Sequence, residues 1–527
     1  MKKLLLLAAL FGATFSAFAQ ADDQEATFWT KSIKPVAEAD DLAGVRAATA
    51  YSGDVYVSTT YNQALSLGND VTIADPEGLV SSAIIKYNNS GDAQWAITLV
   101  GKATVRAMET DADGTLFVAG NFLDGVECTD ATSAKQSLNS PDNYSAFIAK
   151  ISIAGKVEAL KVITPETDAD IAAAVGDPWG DGFDMPLYMA FDPIYVTPNK
   201  LQIDGDKIYV SAAYMGDVKE LGWEGSYIDM GSYVDNRSNG VFSLNKSDLS
   251  NPTNIATVQM TGIIGMFEQY YPEALSFTVE NGTIYVGFFG FGNLTLATAS
   301  DAKSYEFDYG KHPFVLATLK NGSITSTTYD AAPHFKDARP YNIFMSKVQN
   351  NIAVGGTYYG ELPFDNTKTS GEAATNDEGE VTYGFSSEMF LALLNAQTGE
   401  VVSTFVPNKQ SVAQSSAYDG GNISALYGDI TNLYCENGVY EADALVEGEF
   451  PIVAADAFSN VSSVAVRANE NEITIEGVYD EKAALAIEAP ESKATAADAR
   501  AYNIAGQPVN AAYKGIVIKG GKKFLQK

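Results

Sequence analysis

The chain has 527 residues, and 34 Lys and Arg against 66 Asp and Glu give it a formal net charge of −32 at pH 7. A field of this sign repels nucleic acid and anionic membrane surfaces, which makes both poor partners. The length is too great for one ordinary domain and suits a repeat domain with an appendage.

The chain begins with a pattern typical of a secretory signal peptide. Lys2 and Lys3 precede a short apolar core, and small residues lead to an expected cleavage after Ala19. A membrane anchor is the alternative, but the apolar stretch is short and acidic residues follow it at once. Residues 1–19 are therefore interpreted as a signal, and the mature protein is expected in the periplasm, at the cell surface or outside the cell.

Two turn-linked strand pairs, separated by a long connection, return five times along the chain. The first pair of each copy begins at Val45, Val105, Leu201, Leu275 and Ile343. A period of this kind indicates four-stranded units that stack around a ring, because no single unit can bury its apolar face alone. The pattern predicts an all-β protein with a β-propeller over residues 20–455. Six blades are preferred, with five or seven left open.

The repeats resemble the bacterial beta-propeller repeat family, in which a Gly turn precedes an apolar strand and a later strand ends in Lys. The likeness is carried by Asp113-Gly114-Thr115-Leu116-Phe117-Val118 and by Ala149-Lys150-Ile151. It covers roughly residues 44 to 410. The resemblance implies the fold and leaves the function open.

The N-terminal segment 26–36 is expected to be an outer strand that closes the ring. Trp29 stands at the start of this segment as Trp95 stands at the start of the fourth strand of the first copy. Its partner strands are predicted after the fifth copy, near Ile423 and Ile430.

Loop lengths predict where a ligand binds. The first-to-second and third-to-fourth connections of each copy are short Gly or Asn turns, as hairpins prefer. The second-to-third connections are long, roughly residues 62–81, 123–144, 215–239, 291–312 and 361–387. The connection from about Pro165 to Asn199 is also expanded. All of these fall on one end of the sheets, where long loops on a rigid scaffold usually bind.

The expanded connection carries a candidate metal site. Asp177, Asp181 and Asp184 flank Trp179 in a Gly-containing stretch, and closely spaced oxygen ligands suit Ca²⁺. The spacing differs from an EF-hand loop, so a solvated acidic loop is the alternative. No other cofactor is expected.

Aromatic residues give a candidate ligand surface. Trp179 and Trp223 lie in long loops, with Tyr227, Tyr270 and Tyr271 in neighbouring ones. Aromatic faces beside carboxylates and amides suit sugars, whereas packing inside the loops is the alternative. The prediction is a non-catalytic protein that binds a glycan or a protein partner, with a structural envelope scaffold as the second hypothesis.

Catalysis finds little support in the sequence, so no catalytic residue is assigned and the protein is predicted not to be an enzyme. His312 and His334 are the only histidines, and the common nucleophile and metalloprotease motifs are missing. A polysaccharide-acting acid/base enzyme is the third hypothesis, because paired carboxylates are defined by spatial separation. The two cysteines, Cys128 and Cys435, are interpreted either as a disulfide or as two buried thiols.

The pattern changes near Val461, and residues 456–527 are assigned to a C-terminal β module. This module resembles the C-terminal sorting domain of the type IX (Por) secretion route of Bacteroidetes-type bacteria. The matching residues include Tyr502, Asn503, Gly506, Gln507, Gly515, Lys522 and Lys523. The resemblance implies a small β-sandwich that the secretion machinery recognises. The Lys-rich end has a second interpretation, an edge strand protected by positive charge.

Overall fold

The structure is a computed structural model. It describes residues 27–36, 45–69, 71–140, 143–166, 195–225, 238–260, 275–290, 293–307, 313–330, 341–348, 350–358, 361–369, 373–375, 381–383, 388–405, 427–428, 432–435, 438–441, 452–455, 462–468, 472–479, 501–503, 508–509, 515–519 and 522–526. The chain divides into two compact units, Met1–Asp480 and Glu481–Lys527. Within the described residues it is all-β, which confirms the predicted class, apart from one 3-10 turn at Lys219–Leu221.

The first two groups of four strands share one long strand. The strands in this part of the chain are β1 (Thr27–Pro35), β2 (Val45–Tyr51), β3 (Asp54–Tyr61), β4 (Leu65–Ser66), β5 (Thr72–Ile73), β6 (Ser81–Tyr87), β7 (Ala93–Thr110), β8 (Leu116–Thr129), β9 (Lys135–Asn139), β10 (Ser145–Ile151) and β11 (Val157–Ile163). Sheet 1 comprises β2, β3, β6 and the first half of β7. Sheet 2 comprises the second half of β7, β8, β10 and β11.

Sheets 3 and 4 follow the same order. Their strands are β12 (Tyr195–Asp204), β13 (Lys207–Met215), β14 (Ser238–Asn245), β15 (Thr253–Met260), β16 (Ser276–Glu280), β17 (Thr283–Phe289), β18 (Asn293–Ala297), β19 (Ala302–Glu306), β20 (Phe314–Lys320) and β21 (Ser323–Tyr329). Sheet 3 is β12 to β15, and sheet 4 is β16, β17, β20 and β21. Both hairpins of sheet 4 turn through Asn-Gly pairs, at Asn281 and Asn321, with positive φ at both positions of each pair. Type I′ turns require this backbone.

The remaining strands of the first unit form sheets 5 and 6 and three smaller sheets. They are β22 (Tyr341–Val348), β23 (Asn351–Tyr358), β24 (Glu361–Leu362), β25 (Asp365–Thr369), β26 (Ala373–Thr375), β27 (Val381–Tyr383), β28 (Glu388–Asn395), β29 (Val401–Phe405), β30 (Tyr427–Gly428), β31 (Asn432–Cys435), β32 (Gly438–Glu441), β33 (Ile452–Ala455), β34 (Ser462–Ala468) and β35 (Ile473–Tyr479). Sheet 5 is β22, β23, β28 and β29, and sheet 6 is β33, β34, β35 and β1.

Sheet 6 joins the two ends of the first unit. β1 pairs antiparallel with β35 over seven residues, from Thr27 opposite Tyr479 to Ile33 opposite Ile473. The expectation of an N-terminal strand that completes a C-terminal sheet is confirmed. Its predicted partners near Ile423 and Ile430 are wrong, because β1 pairs with a strand of residues 473–479. The alternating apolar residues of β34 and β35 supply the buried face that β1 needs.

The apolar core lies between consecutive sheets. Five clusters of buried residues fill the interfaces of sheet 6 with sheet 1, and of each sheet with the next as far as sheet 5. Sheets 1 to 4 are therefore buried on both faces, which explains why their central strands are runs of Val, Ile, Phe and Ala without strict alternation. In the described part of the chain, no helix is long and apolar enough to cross a membrane.

The long second-to-third connections are partly hairpins that lengthen the preceding sheet. β4 pairs with β1, the end of β8 pairs with the first half of β7, and β18 pairs with β15. In each case a hairpin from the long connection of one sheet pairs with the edge of the fourth strand of the preceding sheet. Much of what the sequence presents as loop therefore covers strand edges, which would otherwise be open to pairing.

The second unit contributes four short strands in one antiparallel sheet, in the order β37-β36-β38-β39. They are β36 (Ala501–Asn503), β37 (Pro508–Val509), β38 (Gly515–Lys519) and β39 (Lys522–Gln526). The unit boundary follows Asp480, whereas the sequence divides the chain at residue 455.

Candidate functional site

One predicted ligand residue, Trp223, lies in the core. It is 1% exposed, stacks on Tyr214 with ring centroids 4.6 Å apart, and meets Phe242 edge-on at 5.7 Å. Its indole N–H donates to Asn254 Oδ1 at 3.0 Å. A Cβ at Gly240 would overlap the ring. Trp223 therefore packs its own loop onto sheet 3 and presents no ring face to a ligand.

Most other predicted site residues lie outside the described part of the chain. These are the aromatic residues Trp179, Tyr227, Tyr270 and Tyr271, the carboxylates Asp177, Asp181 and Asp184, the histidines His312 and His334, and Gly506 and Gln507 of the C-terminal motif. Tyr502 and Asn503 lie in β36, Gly515 in β38, and Lys522 and Lys523 in β39. Among the described residues, no group of three or more His, Cys, Asp or Glu could hold a metal ion.

The first strands of four sheets carry a β-bulge at a matched position. The register of each hairpin shifts by one residue at Arg46 in sheet 1, Arg106 in sheet 2, Asn199 in sheet 3 and residues 342–343 in sheet 5. In sheets 1, 3 and 5, five residue pairs separate the bulge from the hairpin turn. Bulges re-aim side chains and are common beside active sites. The recurrence marks one level of the first strands, near the long-loop face.

The long-loop face is the end of the sheets where first strands begin and second strands end. The bulges of sheets 3 and 5 lie close together there, although the two sheets are not consecutive. Lys200, directly after the sheet 3 bulge, donates from Nζ to the carbonyl oxygen of Met345 in β22 at 2.5 Å. Lys200 Nζ also lies 5.8 Å from the centre of the Phe277 ring in β16. One lysine side chain therefore spans the first strands of three sheets.

Charge is divided along the described first strands. The charged residues at or next to the bulges are the cations Arg46, Arg106 and Lys200, whereas Glu109, Asp204 and Glu280 lie nearer the hairpin turns, with Lys347. Arg106 is half-buried, and its Nε donates to Asn121 Oδ1 at 3.2 Å. Asn121 is itself buried, so this bond fixes the plane of the guanidinium group.

Two carboxylates are fixed at the same face, where the expanded connection leaves sheet 2. Glu166 is 6% exposed, and its Oε1 accepts the backbone N–H of Asp217 at 2.7 Å. In return the N–H of Glu166 donates to the carbonyl oxygen of Asp217 at 2.8 Å. Asp217 Oδ1 accepts the N–H of Gly225 at 2.6 Å. The Glu166 carboxylate therefore lies against the backbone of Asp217, the residue that carries the second carboxylate.

The two ends of the expanded connection are held by neighbouring residues. Asn143 Nδ2 donates to the carbonyl oxygen of Glu166 at 2.9 Å, and Val196 N–H donates to the carbonyl oxygen of Tyr144 at 2.9 Å. Residues 166 and 196 are therefore hydrogen-bonded to two adjacent residues, 143 and 144, which directly precede β10 of sheet 2. The arrangement keeps the pair Glu166 and Asp217 in a defined place at the long-loop face.

Sequence reasoning missed these groups for identifiable reasons. The signal for the bulge cations was present, because the first two copies both begin Val-Arg-Ala, at Val45 and Val105. No comparable signal existed for Glu166 and Asp217, which are 51 residues apart and meet only through tertiary hydrogen bonds.

No protein-family model matches the chain, and no curated protein matches it. Solved structures align over most of its length. They include the polysaccharide lyase Uly1 (9% identity, 88% of this chain and 95% of that chain, TM-score 0.38), the α-L-arabinofuranosidase Arb93A from Fusarium graminearum (9%, 86% and 98%, TM-score 0.34) and B. megaterium levansucrase (12%, 73% and 85%, TM-score 0.29).

These three structures are enzymes, which contradicts the prediction of a non-catalytic binding or scaffold protein. The prediction that the protein is not an enzyme is corrected accordingly. The TM-scores lie below 0.5, so the similarity identifies neither a reaction nor a substrate for this chain.

Proposed function

We propose that the protein is an exported enzyme that cleaves glycosidic linkages by acid/base catalysis at the long-loop face. The observation that carries the proposal is the pair Glu166 and Asp217, two carboxylates held in place by backbone N–H groups at one face of a stack of sheets. Paired carboxylates about 5–10 Å apart are the usual machinery of glycoside hydrolysis. The proposal takes the six four-stranded sheets as the blades of a β-propeller.

In this proposal Glu166 and Asp217 divide the two roles of a glycosidase carboxylate pair. Glu166 is buried at the start of the expanded connection, where it would donate a proton to the leaving glycosidic oxygen. Asp217 is half-buried and would accept a proton from the attacking water. The bonds from the N–H groups of Asp217 and Gly225 orient both groups before substrate arrives, which reduces the ordering required in the transition state.

The test is a hydrolysis screen with amide variants. The protein is incubated with neutral and acidic polysaccharides, and new reducing ends are measured. Glu166→Gln and Asp217→Asn keep a hydrogen-bond acceptor for the backbone N–H groups but remove the acid and the base. Each is expected to lower kcat by at least ~100-fold, a typical contribution of a general acid or base.

Glu220→Gln is the matched control, because Glu220 is an exposed carboxylate on the same loop as Asp217 and pairs with Lys161. It should retain full activity. Thermal unfolding of all three variants checks that the loop is intact. Unchanged turnover in Glu166→Gln and Asp217→Asn, or no reducing ends from any polysaccharide with the wild type, would refute the proposal.

Export is part of the proposal. The signal peptide and the likeness of residues 456–527 to a type IX sorting domain support a route to the cell surface. Fusing residues 481–527, the compact unit that follows sheet 6, to a periplasmic reporter in a bacterium that has this secretion route tests it. Reporter retained in the periplasm would count against recognition by the export machinery.

A further inference from the structure

We infer that Asn321 is a site of spontaneous deamidation, and that the carboxylate of Asp204 protects the matched residue Asn281 from the same reaction. Two hairpin turns of sheet 4 carry this inference, because they share their sequence and backbone and differ in the contacts of one N–H group. Neither part depends on the proposed enzymatic activity.

The two turns are matched in sequence and conformation. In each, Asn is followed by Gly. Asn281 has φ 51° and Gly282 has φ 70°, while Asn321 has φ 53° and Gly322 has φ 77°. Both Asn residues are exposed. Residue type, turn geometry and access to water are therefore alike, so a difference in reactivity has to come from neighbouring groups.

Deamidation begins at the backbone nitrogen of the glycine. After its proton has gone to hydroxide, this nitrogen attacks Cγ of the preceding Asn side chain. The new C–N bond closes a five-membered succinimide ring, and Nδ2 takes a proton from water and leaves as ammonia. Water then opens the ring at either carbonyl carbon, which gives Asp or isoaspartate. Gly favours the attack because no side chain crowds its nitrogen.

The carboxylate of Asp204, in sheet 3, binds the first turn. Its Oδ2 accepts the Gly282 N–H at 2.7 Å, and its Oδ1 accepts the Asn281 N–H at 3.1 Å. A carboxylate that accepts this proton disfavours its loss, because the nitrogen anion would lie beside a second negative charge. The two bonds also fix the turn backbone and restrict the rotation that the attack requires.

The neighbours of the second turn bind the carbonyl oxygen of Gly322 instead of its nitrogen. Thr298 Oγ1 and Ser300 Oγ donate to that oxygen at 2.8 and 3.0 Å. Among the described residues, none accepts the Gly322 N–H. The nitrogen that reacts is therefore open after Asn321 and occupied after Asn281.

Deamidation at residue 321 changes the hairpin in two ways. It adds a negative charge, and isoaspartate also adds one methylene group to the main chain. The longer backbone moves the Gly322 carbonyl away from Thr298 and Ser300, which lie in the turn between β18 and β19. The modified hairpin is expected to lose these two hydrogen bonds.

Mass spectrometry of the aged protein tests the inference. The full chain is kept at mildly alkaline pH, digested in acid, and analysed for Asp and isoaspartate at each site. Asn321 is expected to convert at least ~10-fold faster than Asn281, the factor that one hydrogen bond to a charged group is worth. Asn239 also precedes Gly but is 3% exposed within β14, and it should not convert. In urea, Asn281 and Asn321 should convert at similar rates, because the contacts of both turns are lost.

A variant tests the protecting group directly. Asp204→Ala should raise the rate at Asn281 about ten-fold and leave the rate at Asn321 unchanged. The matched control is Asp301→Ala, because Asp301 also binds a backbone N–H of a sheet 4 hairpin, that of Ile324 at 2.9 Å, which takes no part in the reaction. This control should leave the rate at Asn281 unchanged. Thermal unfolding shows whether each variant is folded.

Equal rates at Asn281 and Asn321 in the folded protein would overturn the inference, as would a rate at Asn281 that Asp204→Ala leaves unchanged. It is also overturned if Asn321 stays intact in the folded protein for as long as it takes to convert in urea. If Asp204→Ala does not fold, the comparison of folded and urea-unfolded wild type still decides between these results.

Discussion

Trp29 connects β1 to the rest of the first unit, and its replacement tests the closure of sheet 6. The side chain is 8% exposed, and its ring lies 6.0 Å from the ring of Tyr87 in sheet 1. It covers two glycines, because a Cβ at Gly91 would lie 2.5 Å from the ring and one at Gly477 would overlap it. Trp29→Ala therefore empties a site bounded by backbone on two sides, which cannot collapse to fill the space.

The expected loss of unfolding free energy is about 3–5 kcal/mol, the usual cost of truncating a buried Trp to Ala. Urea unfolding followed by far-ultraviolet circular dichroism measures it without depending on Trp fluorescence. The same change should expose β1 to protease, since Trp29 anchors the only strand that joins the N-terminal segment to sheet 6 in the described chain. Proteolysis with mass spectrometry identifies the cleavage site.

Trp95 provides the matched control. It occupies the equivalent place at the start of the fourth strand of sheet 1 and covers Gly155, whose Cβ would lie 2.8 Å from its ring. It is only half-buried, and its N–H donates to the Ile153 carbonyl at 3.1 Å. Trp95→Ala should lower the free energy of unfolding clearly less than Trp29→Ala does, and it should leave β1 protected from protease. A loss below about 1 kcal/mol for Trp29→Ala, or equal losses for both variants, would refute the closure argument.

Three further predictions concern buried groups. Burial, helped by the charge of Asp130, raises the pKa of the Cys128 thiol to about 12, so Cys128 should resist a thiol reagent at pH 8 until the protein is unfolded. Burial alone would raise the pKa of Asp130, but hydrogen bonds from Thr132 and two further backbone N–H groups hold it below its usual 3.8. Its stabilisation is therefore present above pH 4 and lost as pH falls through the lowered value, and Asp130→Asn should flatten unfolding free energy against pH in that range. Trp223→Phe should lower the free energy of unfolding by about 1 kcal/mol, because the hydrogen bond to Asn254 is lost, and should leave glycan affinity unchanged. A change in glycan affinity measured by calorimetry would contradict the structural role of Trp223.

The local sequence pattern predicted where strands and hairpins form, but it did not predict which distant strands pair. The Asn-Gly pairs at 281 and 321 predict hairpins, because only a left-handed backbone closes such turns and these residues adopt it readily. The likeness of Trp29 and Trp95 also had a real basis, since each ring covers a turn glycine of the next sheet. Sequence order could not tell which strands β1 joins, because any later apolar strand offers the same backbone donors and acceptors.

The candidate site shows the same division. Trp223 has the residue type and loop position of a sugar-binding aromatic side chain, yet packing against Tyr214 and Phe242 buries it. Conversely, Glu166 was one of 66 acidic residues until the structure placed its carboxylate on the N–H of Asp217. Hydrogen bonds between distant loops leave no periodic trace, so sequence alone could not select this pair.

The sequence by itself determined that the fold is all-β. Antiparallel sheets that stack on one another follow from three features: short Asn and Gly turns, apolar strands, and a strand unit that occurs five times. It also determined which end of the sheets carries the long connections, since turn length depends on local residues. Only the tertiary structure decided that β1 completes sheet 6, that hairpins cover the edges of preceding sheets, and that a bulge recurs near the start of the first strand in four sheets. These features depend on register and packing between segments far apart in the chain, where burial and backbone pairing act together.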